Sequence, residues 1–413
     1  MSFVSHVECT VCGRHHDAKR LLTVCERCGQ MLAVRYDLAR VAAAVTKESL
    51  RPRAPGMYRF RELTPLDDGE EPVTFGEGGT PLVELPRLAA HLGLRHVWGK
   101  DEGQNPTGTF KARGLGMTVT RNRTLGARGF IIPSAGNAGG AAAVYGARAG
   151  LPVAVIVPRG TPPAAVAEAL IAGAHVFTVE GSIATAGKIV ARVAPEIGWV
   201  DLSTLKEVYR LEGKKTMGLE LAEQMGWTMP DVLLYPTGGG TGLLGIPKAY
   251  DELRTMGWLH GALPRIVAVQ AEGCAPVIKA WREGAATTTA WEHPTTHAAG
   301  LRVPSPFAGR QMLQVLRDSR GEAVAVSESA IQDAQRLLAR LEGLWTAPEA
   351  AALIAALVDM KERGAVAADA RIVLVLTGTG FKCDPPALPG AIDLTGSDAD
   401  IADQVKRTLT RSG

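Results

Sequence analysis

Several short stretches of this chain carry side chains whose type and spacing suit chemistry. One is Asn105-Pro106-Thr107-Gly108-Thr109-Phe110-Lys111-Ala112-Arg113-Gly114. Pro106 and Gly108 predict a turn, and a helix is expected to start near Thr109 with Lys111 in its first turn. The positive end of a helix dipole disfavours an ammonium ion and lowers a lysine's pKa. A lysine must be neutral to attack a carbonyl, so the position suits a Schiff-base lysine. The ordinary alternative is a solvated surface lysine. A Walker A phosphate loop is excluded, because no Gly-Lys-Ser/Thr stands at the required spacing.

Three more stretches follow apolar runs. Pro133-Ser134-Ala135-Gly136-Asn137-Ala138-Gly139-Gly140 has small residues that let a planar ligand reach the backbone. Asn137 at a helix start can donate an amide hydrogen to a ligand oxygen, or serve as a plain helix cap. Pro236-Thr237-Gly238-Gly239-Gly240-Thr241-Gly242 offers a nest of backbone N–H groups before a helix, which is a phosphate cradle. It is not the GxGxxG-plus-acid pattern of a nicotinamide dinucleotide site. Thr377-Gly378-Thr379-Gly380-Phe381-Lys382 puts a hydroxyl at a strand end, where it can bond a heterocyclic nitrogen or close a polar turn.

The N-terminal stretch has a different chemistry. Cys9-Thr-Val-Cys12-Gly13 and Cys25-Glu-Arg-Cys28-Gly29 are two CxxCG knuckles, the pattern of a zinc ribbon. Each pair offers two corners of a tetrahedron, and the following glycine permits the knuckle's backbone. Residues 1–60 hold ten Lys/Arg and five Asp/Glu, and a Zn²⁺ with four thiolates offsets part of that excess. The field is too weak for a nucleic-acid module, so a structural ribbon is expected.

The elements that must position these stretches are legible in the pattern. Strands are expected at 129–132, 153–157, 175–179, 232–235, 266–270 and 372–376, as β-branched runs of the kind buried on both faces of a parallel sheet. Helices are expected at 137–149, 162–172, 182–194, 210–226 and 242–257. This alternation predicts an α/β fold with mainly parallel strands, whose ligands bind beyond the carboxyl ends of the strands. The 413 residues carry a net charge of +3, 46% hydrophobic residues and 5% aromatics. That composition is globular and argues against a polyanion binder. No apolar run is long enough to span a membrane and the N-terminus has no secretory pattern, so a cytoplasmic protein without a membrane partner is expected.

Together the loops present an activated lysine, an amide donor, a phosphate nest and a strand-end hydroxyl. Pyridoxal 5'-phosphate needs a partner of each kind for its aldehyde, phenolate oxygen, phosphate and ring nitrogen. In the same order, NPTGTFKARG, PSAGNAGGAAA, YRLEGKKT, PTGGGTG and TGTGFK resemble the motifs of fold-type II pyridoxal-phosphate enzymes. Over residues 5–385 the chain is most similar to the threonine synthase family, several members of which carry a four-cysteine ribbon ending in a "YD" stretch, here Tyr36-Asp37. GEGGTPL at 76–82 matches as well.

The resemblance implies a tryptophan synthase β-like fold of two α/β lobes plus the ribbon. It implies that O-phospho-L-homoserine and water become L-threonine and phosphate. By motif position, Lys111 is the cofactor's lysine and proton carrier, and Asn137 the donor to its ring oxygen. Gly238, Gly239, Gly240, Thr241 and Gly242 form the phosphate loop, and Thr377 is the ring-nitrogen partner. The expected organisation is a ribbon at 1–40, a wrapping linker at 41–75, a large lobe at 76–112 and 225–385, a small lobe at 113–224 and a tail at 386–413. By analogy the protein is expected to be a homodimer.

The chain departs from the family pattern around the substrate. Ala112 stands where the family has Asp, and Ala135 and Ala138 where it has hydroxyls. The run from Gly181 to Lys188 replaces one with an arginine near the substrate phosphate, and Lys206-Glu207-Val208-Tyr209 lacks an expected Asn. Ser134 and Lys188 are therefore the expected substrate residues, with Lys214 or Arg113 beside them. The second enzyme reading is β-elimination or β-replacement, as in a serine or threonine ammonia-lyase or a cysteate-synthase-like enzyme.

Overall fold

The structure, a computed structural model, describes residues 2–386, 388 and 390–410. Residue 1 of the expected ribbon, and 387, 389 and 411–413 of the expected tail, lie outside the described residues. The chain opens with an antiparallel ribbon of β1 (Val4–Cys9), β2 (His15–His16) and β3 (Leu32–Tyr36), in the order β2-β1-β3. Val7 pairs with Val34, and Cys9 with Leu32. The ribbon's Val7, Leu32, Val34 and Tyr36 share an apolar cluster with Met57, Met117 and Tyr209 of the body. Tyr36 also donates its hydroxyl hydrogen to the Glu212 carboxylate at 2.7 Å. The ribbon is therefore packed onto the body at both an apolar and a polar contact.

The proline-rich stretch that follows contains α1 (Leu38–Ala44), α2 (Lys47–Leu50) and a 3₁₀ segment Met57–Leu63. Met57, Phe60 and Leu63 are buried, so this segment lies against the body through its own apolar anchors. Next come β4 (Leu82–Glu84), α3 (Pro86–His91), β5 (His96–Asp101) and α4 (Lys111–Thr124). The chain then builds β6 (Phe130–Pro133), α5 (Asn137–Ala149), β7 (Val153–Pro158), α6 (Pro163–Ile171), β8 (His175–Val179), α7 (Ile183–Ile197) and β9 (Val200–Asp201). Then follow α8 (Tyr209–Gln224), β10 (Val232–Pro236), α9 (Thr241–Thr255), β11 (Arg265–Ala271), α10 (Pro276–Arg282) and α11 (Gly309–Asp318). The last elements are β12 (Glu322–Val326), α12 (Glu328–Glu342), α13 (Pro348–Glu362), β13 (Arg371–Leu376) and α14 (Asp398–Thr410).

Two sheets organise these elements. The larger runs β12-β11-β10-β13-β5-β4 and is parallel except for β4, which is antiparallel to β5. The smaller runs β8-β7-β6-β9 and is parallel throughout. Side chains alternate between two buried faces. Leu233 and Tyr235 join one cluster of the large sheet, and Val232 and Leu234 the other. Phe130 and Ile132 of the small sheet face a different cluster from Ile131. This double burial explains why the strands read as unbroken apolar runs.

The six expected strands all occur, each end within one residue of the expectation. β5 lies outside the expected set because its sequence, HVWGKD, contains charges. Those charges are compensated in space. Lys100 meets Glu220 at 2.9 Å. Fully buried Arg113 donates to Glu102 at 2.6 Å and to Glu220 at 2.7 Å. Buried charges persist only with such partners, and here Glu220 arrives from α8 across the fold.

Candidate active site

One cleft lies beyond the carboxyl ends of β10 and β13 of the large sheet and β6 of the small one. Pro236, Thr377 and Pro133 at those strand ends all line it. It sits where open parallel sheets offer crevices. Lys111 enters it as the first residue of α4. Phe110 precedes it, held by its N–H to the Thr377 carbonyl at 3.0 Å, so the lysine turn is stitched to the end of β13.

The Lys111 amine has no hydrogen-bond acceptor among the described residues; its Nζ lies 4.5 Å from the Phe110 ring centroid. Burial lowers its pKa from 10.5 to about 8, the nearby Arg210 charge adds to the effect, and Glu349 opposes it. Sequence points to the helix dipole as the cause; in the structure desolvation is the larger one. Behind Lys111, fully buried Lys214 donates to the Phe110 carbonyl, and its own pKa is driven well down by burial and by the charges of Lys111 and Arg210.

The glycine loop closes one end of the cleft. Gly238, Gly239, Gly240 and Thr241 line it, while Gly242 sits behind them. Among the described residues, the N–H groups of Gly238, Gly239 and Gly240 find no acceptor. Their lack of side chains is required by close approach. A Cβ at Gly238 would lie 2.1 Å from the Gly300 carbonyl oxygen, and one at Gly242 would lie 2.2 Å from the Tyr235 hydroxyl. Gly240 has φ +80°, which a side chain rarely tolerates. α9 starts at Thr241, so its unpaired N–H groups and positive dipole end face an anion placed here.

The opposite wall is the turn from β6 into α5. Ser134 lines it, but its hydroxyl accepts from the N–H groups of Gly136 and Gly139, at 3.2 and 2.8 Å, and donates to the Gly136 carbonyl at 2.9 Å. It shapes the turn. Asn137 begins α5 and lines the cleft, and its side-chain amide is without a protein partner among the described residues. Thr377 is in the same state: buried, lining the cleft, with its hydroxyl unpaired among the described residues.

The expected residues do not all converge. Lys188 is exposed on α7 and does not line the cleft; Ile183 of the same helix does. Arg113 is committed to Glu102 and Glu220. Arg302, Glu349 and Thr204 line the cleft without having been singled out from sequence. Arg302 and Thr204 sit in non-repetitive segments without a motif, and Glu349 reads as an ordinary acidic residue of a helix's first turn.

The ribbon site is compact. Among the described residues, Cys9, Cys12, Cys25 and Cys28 form one cluster whose sulfurs all lie within 4.8 Å of one another. Three of the separations are 3.4 Å (Cys9–Cys28), 3.7 Å (Cys12–Cys25) and 3.6 Å (Cys12–Cys28). A tetrahedral zinc with bonds of about 2.3 Å requires sulfur separations of about 3.8 Å, so the donor set fits that ion.

Comparison with known proteins agrees with this geometry. The family described as "Pyridoxal-phosphate dependent enzyme" matches residues 73–378. The chain is 34% identical over 397 residues to the threonine synthase of Methanosarcina acetivorans, covering 96% of both proteins. It is 35% identical over 380 residues to that of Methanocaldococcus jannaschii, covering 92% of this chain and 93% of the relative. Among solved structures, maize serine racemase superposes with a TM-score of 0.64 at 22% identity, over 81% of this chain and 93% of the other. A fungal L-serine ammonia-lyase from Rhizomucor miehei gives 0.63 at 22%, over 73% and 93%.

Proposed function

This chain belongs to the pyridoxal-phosphate-dependent enzymes and, among them, to the threonine synthases, and from that premise we propose how its residues turn O-phospho-L-homoserine and water into L-threonine and phosphate. The observation that carries the reading is a set of unpaired donors facing one cleft: the Lys111 amine, the Asn137 amide, the Gly238–Gly240 N–H groups and the Thr377 hydroxyl. Their chemistry fits the cofactor group by group. Lys111 would hold its aldehyde and Asn137 its phenolate oxygen. Gly238, Gly239, Gly240, Thr241 and Gly242 would hold its phosphate, and Thr377 its ring nitrogen.

Pyridoxal phosphate, when bound, draws electrons from the substrate's α-carbon, which acidifies that position and its neighbour. The protein supplies the rest. Lys111 would carry protons at the α- and β-carbons, and a pKa of about 8 leaves part of it unprotonated at neutral pH. α9, which starts at Thr241, would direct its N-terminal N–H groups at the cofactor's phosphate. Thr377, as a neutral hydroxyl, would bond the ring nitrogen without holding a proton on it, which would moderate electron withdrawal. Between the two walls of the cleft, one water adds at the β-carbon after phosphate has left the γ-carbon.

We also assign one structural Zn²⁺ to Cys9, Cys12, Cys25 and Cys28, supported by the sulfur separations. Ser134 remains in the proposal as a substrate-side residue through the turn it shapes at the cleft, whereas Lys188, exposed on α7 and outside the cleft lining, leaves it. A cytoplasmic homodimer completes it; no described helix is long and apolar enough to cross a membrane.

Incubation of the holoenzyme with O-phospho-L-homoserine is expected to release phosphate and threonine in equal amounts. No phosphate release, with 2-oxo acid formed from serine or threonine, would replace this reading by β-elimination. Lys111→Ala is expected to abolish borohydride-fixed cofactor on the 111 peptide, seen by mass spectrometry.

A further inference from the structure

A phosphorylated amino acid brings a dianion into the cleft, in addition to the phosphate of the cofactor. The glycine loop offers one anion cradle, and the cofactor occupies it in the reading above, on which the present inference rests. Among the described residues, two cationic side chains line the cleft, Lys111 and Arg302. Lys111 is committed to the cofactor and to proton transfer. Arg302 enters no ion pair among the described residues and is only half-buried. Lys188 lies outside the cleft and Arg113 is tied to two carboxylates.

The backbone around Arg302 is also braced. Two residues before Arg302 stands Gly300, whose N–H donates to the Glu349 carboxylate at 2.6 Å. The Gly300 carbonyl lies so close to Gly238 that a Cβ there would stand 2.1 Å away. Arg302 itself closes a turn through its N–H to the Ala299 carbonyl, at 3.3 Å. The segment carrying the guanidinium is thus braced between the phosphate loop and the first turn of α13. Glu349, the one carboxylate lining the cleft among the described residues, spends one oxygen on that bracing.

We propose that Arg302 binds the phosphate of the substrate, taking the place of the arginine that the 181–188 run lacks. A guanidinium matches a phosphate through paired N–H···O bonds, which are stronger than neutral ones and fix orientation. The departing phosphate is then a dianion on a cation that also stabilises it as a leaving group.

The test compares Arg302→Gln and Arg302→Lys with the parent holoenzyme. Loss of a charged hydrogen-bonded pair is expected to raise KM for O-phospho-L-homoserine about 10- to 100-fold in Arg302→Gln, with Arg302→Lys between the two. Binding of the unreactive phosphonate L-2-amino-5-phosphonopentanoate, followed by the cofactor's absorbance, is expected to weaken in parallel, while L-norvaline, which lacks the phosphonate, binds unchanged. Equal weakening of both ligands would mean that Arg302 holds the carboxylate, and would overturn the proposal. So would an unchanged KM, or weakened cofactor retention with unchanged ligand affinity, which would assign Arg302 to the cofactor phosphate. A parent enzyme that releases no phosphate would instead remove the threonine synthase reading itself.

Discussion

Replacing Lys111 by methionine is expected to stabilise the cofactor-free protein at neutral pH while destroying its chemistry. The folded protein holds this amine at about 8 against 10.5 for an ordinary lysine, through burial and the charge of Arg210. That difference is a penalty of about 3 kcal/mol on the charged form, and water in the open cleft screens it to about 2 kcal/mol. Between pH 8 and 10.5 the unfolded chain binds more protons at this site than the folded one, so the folded state gains stability as pH rises through that window. Below pH 8 the penalty is fully present; above 10.5 it is gone. Methionine keeps the apolar stem and removes the charge. Arg210, Glu349 and Lys214 face the site in both proteins, and their interactions with the ammonium are part of the difference that methionine removes. For a chain of this size 2 kcal/mol moves the melting midpoint by about 2 °C. Calorimetry of the two cofactor-free proteins at pH 7 and near pH 10.5 reads the effect. A methionine variant no more stable than the parent at pH 7, or one whose advantage persists at the higher pH, would refute a desolvated ammonium at this position.

Three further outcomes follow from the geometry. Gly240→Ala forces a side chain onto a φ of +80° and to within 2.2 Å of the Met312 sulfur; strain of about 1–2 kcal/mol is expected to weaken pyridoxal-phosphate affinity about tenfold, and an unchanged titration would remove the loop from the cradle. Glu102→Ala leaves the buried Arg113 guanidinium short of a partner; a loss of about 3–5 kcal/mol in urea unfolding is expected, and a loss below about 1 kcal/mol would show that water or Glu220 fully compensates. Zinc analysis is expected to give one ion per chain, lost with a strong chelator together with a fall in thermal stability, whereas Cys12→Ser protein with full metal content would contradict the four-sulfur site.

Much of the site could be read along the chain because each part sits in one short loop following one strand. Lys111, Asn137, the 238–242 glycines and Thr377 each announce themselves locally: a turn before a helix, small residues after an apolar run, a hydroxyl at a strand end. The strands beneath them were equally legible, since residues buried on both faces leave a continuous apolar signature. β5 and β12 were less so. β5 keeps Lys100 in its interior only because Glu220, 120 residues later, meets it there. Arg113 reads as a possible substrate ligand until Glu102 and Glu220 are seen to enclose it. Ser134 reads as a substrate donor until its hydroxyl is found bonded into its own turn.

Sequence by itself determined the kind of fold, the four groups a pyridoxal phosphate would need and the four cysteines of the ribbon, because periodicity and short-range spacing encode strands, helix starts and knuckles. Only the tertiary structure decided which charges are spent and which are free. An ion pair or a desolvated amine depends on what distant segments bring within a few ångströms, and spacing along the chain carries no record of that. Thus Arg113 and Lys188 left the cleft, Arg302 and Glu349 entered it, and burial, ahead of the helix dipole, became the main reason that Lys111 can act as a neutral amine.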